Sequence, residues 1–528
     1  MTENLQKPPL VVLTSVDDWR FDAANYQPDR RYWRALPVPE RLETPNIDAF
    51  ANDAVRFEKC VSTAGYTPIA HATMFTGTYA RRHGVVDFAR TRCRSNVPTV
   101  SEAFANAGYR TVLLADWAQP LFCDANQSLR AVHHRVRTLD ELRALLFDTP
   151  WQPTFLVTHF FELHAPLVLA TDDSADKWET RLFSRLLFNA RLEKVERIPT
   201  FRTVDGQEVT YWQAVSTNFR PNDRESILNH LRMMFNAYLH MIEKFDATTF
   251  ATYLGLLKSL PQWPDAVMVV TSDHGEVQQR YEPWKIAHGA CLEELLVRVP
   301  LLIRAPRLEP RSVSALVGTV DIVPTLLELA GLDPAQVGCT DGFDGRSLVD
   351  VCCGAPNPTP YYWIEGWAYD AETKKRPSTI TARAIRYPDG RKYAHYGDSA
   401  RWSQIDEMSL AEYADFLKRE VSGFCATPEF ERQIEQQLRQ TSRQELWQTL
   451  RSRYRPPFYI VDNVDDDITE TNATLVDPNH PRWPEFAAEL RRMYEHTGVP
   501  NETSALSQEE EAAMLERLAE LGYVEQPA

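Results

Sequence analysis

Three short stretches hold the residue types that could do chemistry. LTSVDDWR (13–20) ends an apolar run in two adjacent carboxylates, Asp17 and Asp18. AGYTPIAHATMFTG (64–77) sets Thr67 immediately before a proline, with His71 one helical turn later. DAVMVVTSDHGE (265–276) ends a second apolar run in Asp273 and His274. A carboxylate at the end of a buried strand is costly unless it binds something. In open α/β sheets that edge is also where ligands sit. Three carboxylates and an imidazole converge on one point only around a cation. A mixed oxygen and nitrogen donor set suits Mn2+ or Zn2+, and Ca2+ less well because of the imidazole. Each stretch also has an ordinary explanation. Two aspartates after a strand form a turn, SDHG forms an Asx-turn with a glycine stop, and Thr before Pro caps a helix.

The elements that must position these residues follow from the apolar pattern. LVVLTSV (10–16) is a continuous, partly β-branched run that fits a strand buried on both faces. TPNIDAFANDAVRFEKCV reads as a helix and then a strand, and TVSEAFANAGYRTVLLA as a helix stopped at Gly108 and then the strand RTVLLA. PTFLVTHFFELHAPL holds a strand ending near His159–His164, and RVPLLIRAP holds another. DIVPTLLELAGL is a helix with Pro324 in its first turn and Gly331 at its end. Strands alternating with helices predict an α/β sandwich around a mostly parallel sheet.

Residues from about 171 to 262 are polar and largely helical in pattern, which suggests an insertion. It closes on a core helix marked by Ile227, Leu231, Met234, Tyr238, Met241, Ile242 and Phe245. Near residue 356 the pattern shifts to short aromatic strands: YYWIEGWAY, STITARAIRYP, RKYAHYG and PPFYIVDNVDDD. A helical stretch at about 406–453 interrupts them, and SQEEEAAMLERLAELGYV closes the chain as an amphipathic helix. The expected organisation is a catalytic domain over 1–355 and a smaller α+β subdomain with an antiparallel sheet over 356–528.

Composition bounds the partners. The chain has 528 residues, 44% of them hydrophobic, enough to bury a large core. A net charge of −16 argues against binding a nucleic acid duplex, while leaving room for a local pocket for a small anionic substrate. The eight cysteines show no paired metal spacing and read as reduced thiols. No basic segment precedes a long apolar one, and no window reaches the roughly 18 apolar residues of a membrane span. The expectation is a cytoplasmic protein with no membrane partner; self-association into a homo-oligomer stays open.

Taken together and in order, VVLTSVDDWR, TPNIDAF, YTPIAHATMFTGTYARRHGV, TSDHGE, HGACLEELLVRVPLLIRAP, DIVPTLLELAGL and DGRSL resemble the sulfatase-like branch of the alkaline phosphatase superfamily. FYIVDNVDDDITETNA resembles that branch's late strand with its acidic turn. The resemblance spans nearly the whole chain. It implies an alkaline phosphatase-like sandwich, with metal ligands at Asp17, Asp18, Asp273 and His274.

The resemblance also puts the nucleophile at Thr67, which would be a metal ligand as well. Sulfatases carry Cys or Ser there and oxidise it to formylglycine. Formylglycine cannot form from Thr, whose β-carbon already carries a methyl group. The branch's arginine is replaced by His71. A Thr nucleophile is usual in phosphodiesterases and phosphoethanolamine transferases of the superfamily. His164 and His288 fall where the resemblance places groups facing the leaving and transferred parts of the substrate. Lys285, Arg82 and His83 are candidate substrate contacts. The implied activity is metal-dependent hydrolysis of phosphodiesters or phosphonate monoesters with one divalent ion; His164 and His288 could supply part of a second site. The alternatives are a sulfuric ester hydrolase working without formylglycine and a non-catalytic anion binder.

Overall fold

The computed structural model describes residues 8–27, 42–86, 91–115, 126–164, 238–278, 286–288, 292–367, 380–396, 458–470, 472–476 and 479–497, with short stretches between 169 and 215. Eight strands build the central sheet: β1 (Leu10–Val16), β2 (Val55–Val61), β3 (Arg110–Ala115), β4 (His134–Val136), β5 (Thr154–Phe160), β6 (Val267–Ser272), β7 (Arg298–Arg304) and β8 (Arg311–Gly318). Their spatial order is β8-β2-β7-β6-β1-β5-β3-β4. Only β7 runs antiparallel to its neighbours. The remaining pairs are parallel, as expected from strands alternating with helices.

β1 shows why its sequence is a continuous apolar run. Val11 and Leu13 join a core on one face, with helices α2 (Thr67–Thr76), α3 (Val100–Asn106) and α6 (Ile322–Leu329). Leu10, Val12 and Val16 join a core on the other, with α1 (Pro45–Asn52), α4 (Leu139–Phe147) and α5 (Ala251–Lys258). A strand buried on both faces has no polar side to alternate with.

A second sheet of five antiparallel strands is separate from the first: β9 (Tyr362–Trp367), β10 (Ile380–Arg386), β11 (Lys392–Tyr396), β12 (Phe458–Val461) and β13 (Thr474–Leu475). Helix α7 (Trp483–Thr497) packs against it through Phe486 and Met493. This sheet shares a core with Phe21, Val61, Leu292, Leu295 and Val297, so it lies beside the central sheet rather than extending it.

Where the sequence pattern reads as helical insertion, the described pieces Lys194–Arg197 and Tyr211–Val215 are short antiparallel strands. Aromatic and β-branched residues in YWQAV favour a strand there over a helix. The core-helix expectation is described at residues 238–245. Ile227, Leu231, Met234, the stretch at 406–453 and the C-terminal helix lie outside the described residues, as do Cys123, Cys291 and Cys425. The five described cysteines are free thiols. No helix among the described residues is long and apolar enough to cross a membrane.

Candidate active site at the carboxyl ends of the central strands

β1 lies between β5 and β6 and is parallel to both, with Val16 opposite Phe160 and Ser272. Asp17 and Asp273 therefore leave adjacent strands at the same level. Asp17 N–H continues the ladder by donating to Phe160 O at 2.8 Å. Ser272 ties the two turns together, its Oγ lying 2.6 Å from Val16 O and accepting from Trp19 N–H at 3.1 Å. Asp18 takes a left-handed backbone conformation, φ +57°, which is uncommon outside glycine. Its carbonyl accepts from the Tyr238 hydroxyl at 2.7 Å, which helps hold the turn.

Helix α2 delivers Thr67 from the other side. Tyr66 occupies the N-cap, Thr67 is the first helical residue, and no side chain caps the helix. The hydroxyl is used elsewhere: Thr67 Oγ1 lies 3.1 Å from His274 Nε2. The N-cap explanation of Thr67 is thus not the one realised. His274 Nδ1–H donates to Gly275 O at 3.0 Å, which leaves Nε2 facing Thr67 and the carboxylates. Nε2 lies 3.4 Å from Asp273 Oδ2 and 3.9 Å from Asp17 Oδ1. His159 Nε2 approaches Asp17 Oδ2 at 3.3 Å, and His71 Nε2 approaches Asp273 Oδ2 at 4.0 Å. The two rings meet edge to face, with centroids 4.4 Å apart.

A second group adjoins the first. Asp18 Oδ1 lies 2.9 Å from His274 Nδ1 and 3.4 Å from His288 Nδ1. The His288 ring lies 4.9 Å from that of His164, which stacks on Phe161 at 4.3 Å. Glu276 Oε1 sits 2.5 Å from His288 Nδ1.

The electrostatics have a consistent direction. Asp17, Asp18, Asp273 and Glu276 are all buried. Burial, then the charges of Glu276, Asp17 and Asp273, push the Asp18 carboxyl well above its ordinary range. Burial also opposes ionisation of Asp273, but His274 and His71 outweigh it and hold that carboxyl low. Burial lowers His274, but Asp273 and Asp17 overcome it and raise the imidazole. His71 is held neutral by burial and by the neighbouring His159.

Two sets of donor atoms suit a cation: Asp17, Asp273 and His274, and Asp18, His164 and His288. Within each set the atoms lie within 4.8 Å of one another. Metal–ligand bonds are about 2.0–2.6 Å, so atoms this close can share one ion. The mixed carboxylate and imidazole chemistry, and an Asp18 carboxyl raised by burial and by its acidic neighbours, fit a divalent metal.

Placement differs among the other residues singled out from sequence. Thr67, His71, His164 and His288 all border this centre. Arg82 and His83 have their described contacts at the far end of α2. His83 Nε2 meets Thr73 Oγ1 at 3.2 Å, and its Nδ1 accepts from Val85 N–H at 3.0 Å. Thr73 is roughly 9 Å along the helix axis from Thr67. Arg82 pairs with Asp344 at 3.3 Å and donates to Gly342 O at 3.0 Å. Both residues therefore tie the helix end down. Lys285 lies outside the described residues. The sequence pattern does not single out Glu276, although it stands two residues after His274 in the same motif, and His159 reads from the pattern as an ordinary strand residue.

A family model described as Sulfatase matches residues 9–332. An uncharacterized sulfatase of Escherichia coli is 23% identical over 339 residues, covering 56% of this chain and 64% of its own length. An ulvan-active sulfatase of Formosa agariphila is 23% identical over 373 residues, covering 67% of this chain and 66% of its own length. The matches thus span just under two thirds of these relatives. Among solved structures, the phosphonate monoester hydrolase of Agrobacterium radiobacter superposes with a TM-score of 0.51 at 19% identity, covering 82% of this chain and 96% of that one. That likeness concerns the fold.

Proposed function

The chain belongs to the Sulfatase family, in the sulfatase-like branch of the alkaline phosphatase superfamily, and on that premise we propose that it is a metal-dependent hydrolase of phosphoester bonds, preferring phosphodiesters or phosphonate monoesters. The observation that carries this reading is the placement of Thr67 Oγ1 at the N-terminus of α2, 3.1 Å from His274 Nε2 and beside Asp17 and Asp273. A threonine there cannot follow the formylglycine route, because its β-carbon carries a methyl group, but its hydroxyl can attack phosphorus.

One divalent cation, Mn2+ or Zn2+ by its donor set, would be held by Asp17, Thr67, Asp273 and His274, with Asp18 alongside. When bound, it would favour the Thr67 alkoxide and offset charge on the phosphoryl oxygens. Thr67 Oγ1 attacks phosphorus, the bond to the first alcohol breaks, and a phosphothreonine ester remains on the chain. His288 or His164 gives a proton to the departing oxygen. Water then attacks the same phosphorus and returns a proton to that histidine, the Thr67 ester bond breaks, and Thr67 Oγ1 regains from solvent the proton it released there before its attack. The helix N-terminus adds a favourable field for the anion. His159 backs the outer oxygen of Asp17, Oδ2, and so orients that carboxylate, while His71 approaches the Asp273 oxygen that also faces His274.

A second reading, sulfuric ester hydrolysis without formylglycine, is favoured by the sulfatase relatives. The two are separated by assaying one preparation of known metal content on matched aryl esters: a phosphodiester, a phosphonate monoester, a phosphomonoester and a sulfate. The proposal expects the phosphodiester or the phosphonate ester to have the highest kcat/KM. A sulfate ester turned over faster than all three phosphorus esters overturns it. We place the protein in the cytoplasm, acting on a small anionic ester and not on a nucleic acid duplex or a membrane.

A further inference from the structure

We propose that Glu276 is a positioning residue that fixes the His288 ring with Nε2 presented to the leaving-group oxygen. The proposal rests on the reading above, taking His288 as the one of its two candidate donors that faces that oxygen. Its geometry begins in the backbone. Val277–Gln278 pairs antiparallel with Ile286–Ala287, Val277 opposite Ala287, so the register sets Glu276 opposite His288. The turn before it is wedged in place. A Cβ on Gly275 would meet Leu295 O at 3.0 Å and Arg20 Cγ at 3.1 Å, and Gly275 N–H donates to Leu296 O at 2.7 Å. Arg20 Nη1 donates to Glu276 O at 3.1 Å. Arg20 is itself fixed, because its Nε and Nη2 donate to the two carboxylate oxygens of Asp22 at 2.9 and 2.7 Å. Glu276 therefore has little freedom to move away from His288.

Glu276 Oε1 lies 2.5 Å from His288 Nδ1. A carboxylate only accepts, so this contact keeps a hydrogen on Nδ1 and turns Nε2 to the opposite side of the ring, where it carries the second proton of the imidazolium form that serves as donor. A carboxylate accepting from one ring nitrogen fixes a histidine's tautomer and angle, and at metal-bound histidines the loss of such a partner typically costs about 10–100-fold in activity or metal affinity. A competitor makes the requirement sharper. Asp18 Oδ1 lies 3.4 Å from the same Nδ1, so without Glu276 the ring is drawn toward the metal-binding carboxylates instead.

The test uses the full-length, metal-loaded protein with two substitutions. E276Q keeps an acceptor opposite Nδ1, whereas E276L keeps bulk but no acceptor. On an alkyl phosphodiester, whose leaving group needs help, E276L is expected to lower kcat by about 10- to 100-fold. KM should move by less than about threefold and bound metal should stay at the wild-type level. The loss should be smaller on a p-nitrophenyl ester. E276Q should recover most of kcat. A downfield imidazole N–H resonance from His288, assigned by its loss in H288A, should persist in E276Q and vanish in E276L. That resonance tests the positioning even if the wild type hydrolyses no phosphoester, an outcome that would sink the functional reading alone. The proposal is overturned if E276L retains wild-type kcat and the resonance. It is equally overturned if E276Q and E276L lose metal together, because Glu276 would then be a ligand.

Discussion

The molecule buries two clusters of charged side chains, and they are built on opposite plans. Beneath the second sheet, Lys392 and Arg386 meet Glu294, Glu470 and Asp465, and Lys59 closes the network. Lys392 Nζ lies 2.6 Å from Glu470 Oε1, and Tyr459 donates to Glu470 Oε2 at 2.9 Å. Cations and anions answer one another there, so the cluster is complete as protein. At the carboxyl ends of β1 and β6, four buried carboxylates, Asp17, Asp18, Asp273 and Glu276, face the imidazoles of His159, His274 and His288. A buried ion survives when it is paired and hydrogen-bonded. The balanced cluster meets that condition by itself, while the acidic one meets it best with a bound cation. The balanced cluster is therefore read as structure and the acidic one as a site.

The largest effects should come from the acidic end. Thr67→Ala is expected to cut turnover by about 10³-fold or more, the scale seen when a nucleophile is removed, while substrate still binds. Thr67→Ser should keep measurable phosphoesterase activity. Wild-type rates in Thr67→Ala would return Thr67 to a purely structural role. Asp273→Asn should lower the metal-to-protein ratio measured by elemental analysis, with the chain still folded. Dialysis against a chelator should abolish activity, and adding back Mn2+ or Zn2+ should restore it. Unchanged stoichiometry in Asp273→Asn would remove the contrast between the clusters.

The balanced cluster should respond through stability instead. Lys392→Met leaves Glu470 and Glu294 buried beside each other without their shared cation, an arrangement that costs about 3–5 kcal/mol. Denaturant unfolding should register that loss while metal content per folded molecule is unchanged. A Lys392→Met protein as stable as the wild type would mean that this network is not the structural tie described.

Legibility in the sequence follows the range of the interactions. Asp17 and Asp273 stand out because each ends an apolar strand, a local pattern that leaves little choice of position. The α/β class is legible for the same reason. The direction of β7 is not, because nothing within RVPLLIRAP fixes which way it enters the sheet. Lys392 and Glu470 are 78 residues apart, and their pairing exists only once two strands have come together. Glu276 gives no signal in the sequence because its partner arrives through a hairpin whose register no spacing reveals. Arg82 and His83 stand out as polar residues after the helix of Thr67, but the chain turns and commits them to Asp344 and Thr73.

Glu365 gives the comparison its finest test, because it is an acidic group buried outside the metal centre. It sits on β9 directly opposite Arg383 of β10. Burial pushes the carboxyl from 4.5 up to about 7, against the pull of Arg383, the Ala80 backbone amide and Arg81. In the window between those values the folded protein holds a proton that the unfolded chain has lost. Stability must therefore fall as pH rises from about 4.5 through 7 and level off above it. Glu365→Gln removes the charge and keeps the volume. Each tenfold change in an ionisation constant is worth roughly 1.4 kcal/mol, and the two arginines screen part of it. At pH 8 the variant should therefore be the more stable by about 1–3 kcal/mol. At pH 4.5 the two proteins should be within about 0.5 kcal/mol of each other, because both then carry a neutral group. Denaturant midpoints at the two pH values make the measurement. A variant less stable than the wild type at pH 8 would show that Arg383 pairs with the ionised carboxylate closely enough to offset its burial, which would place Glu365 with the balanced cluster.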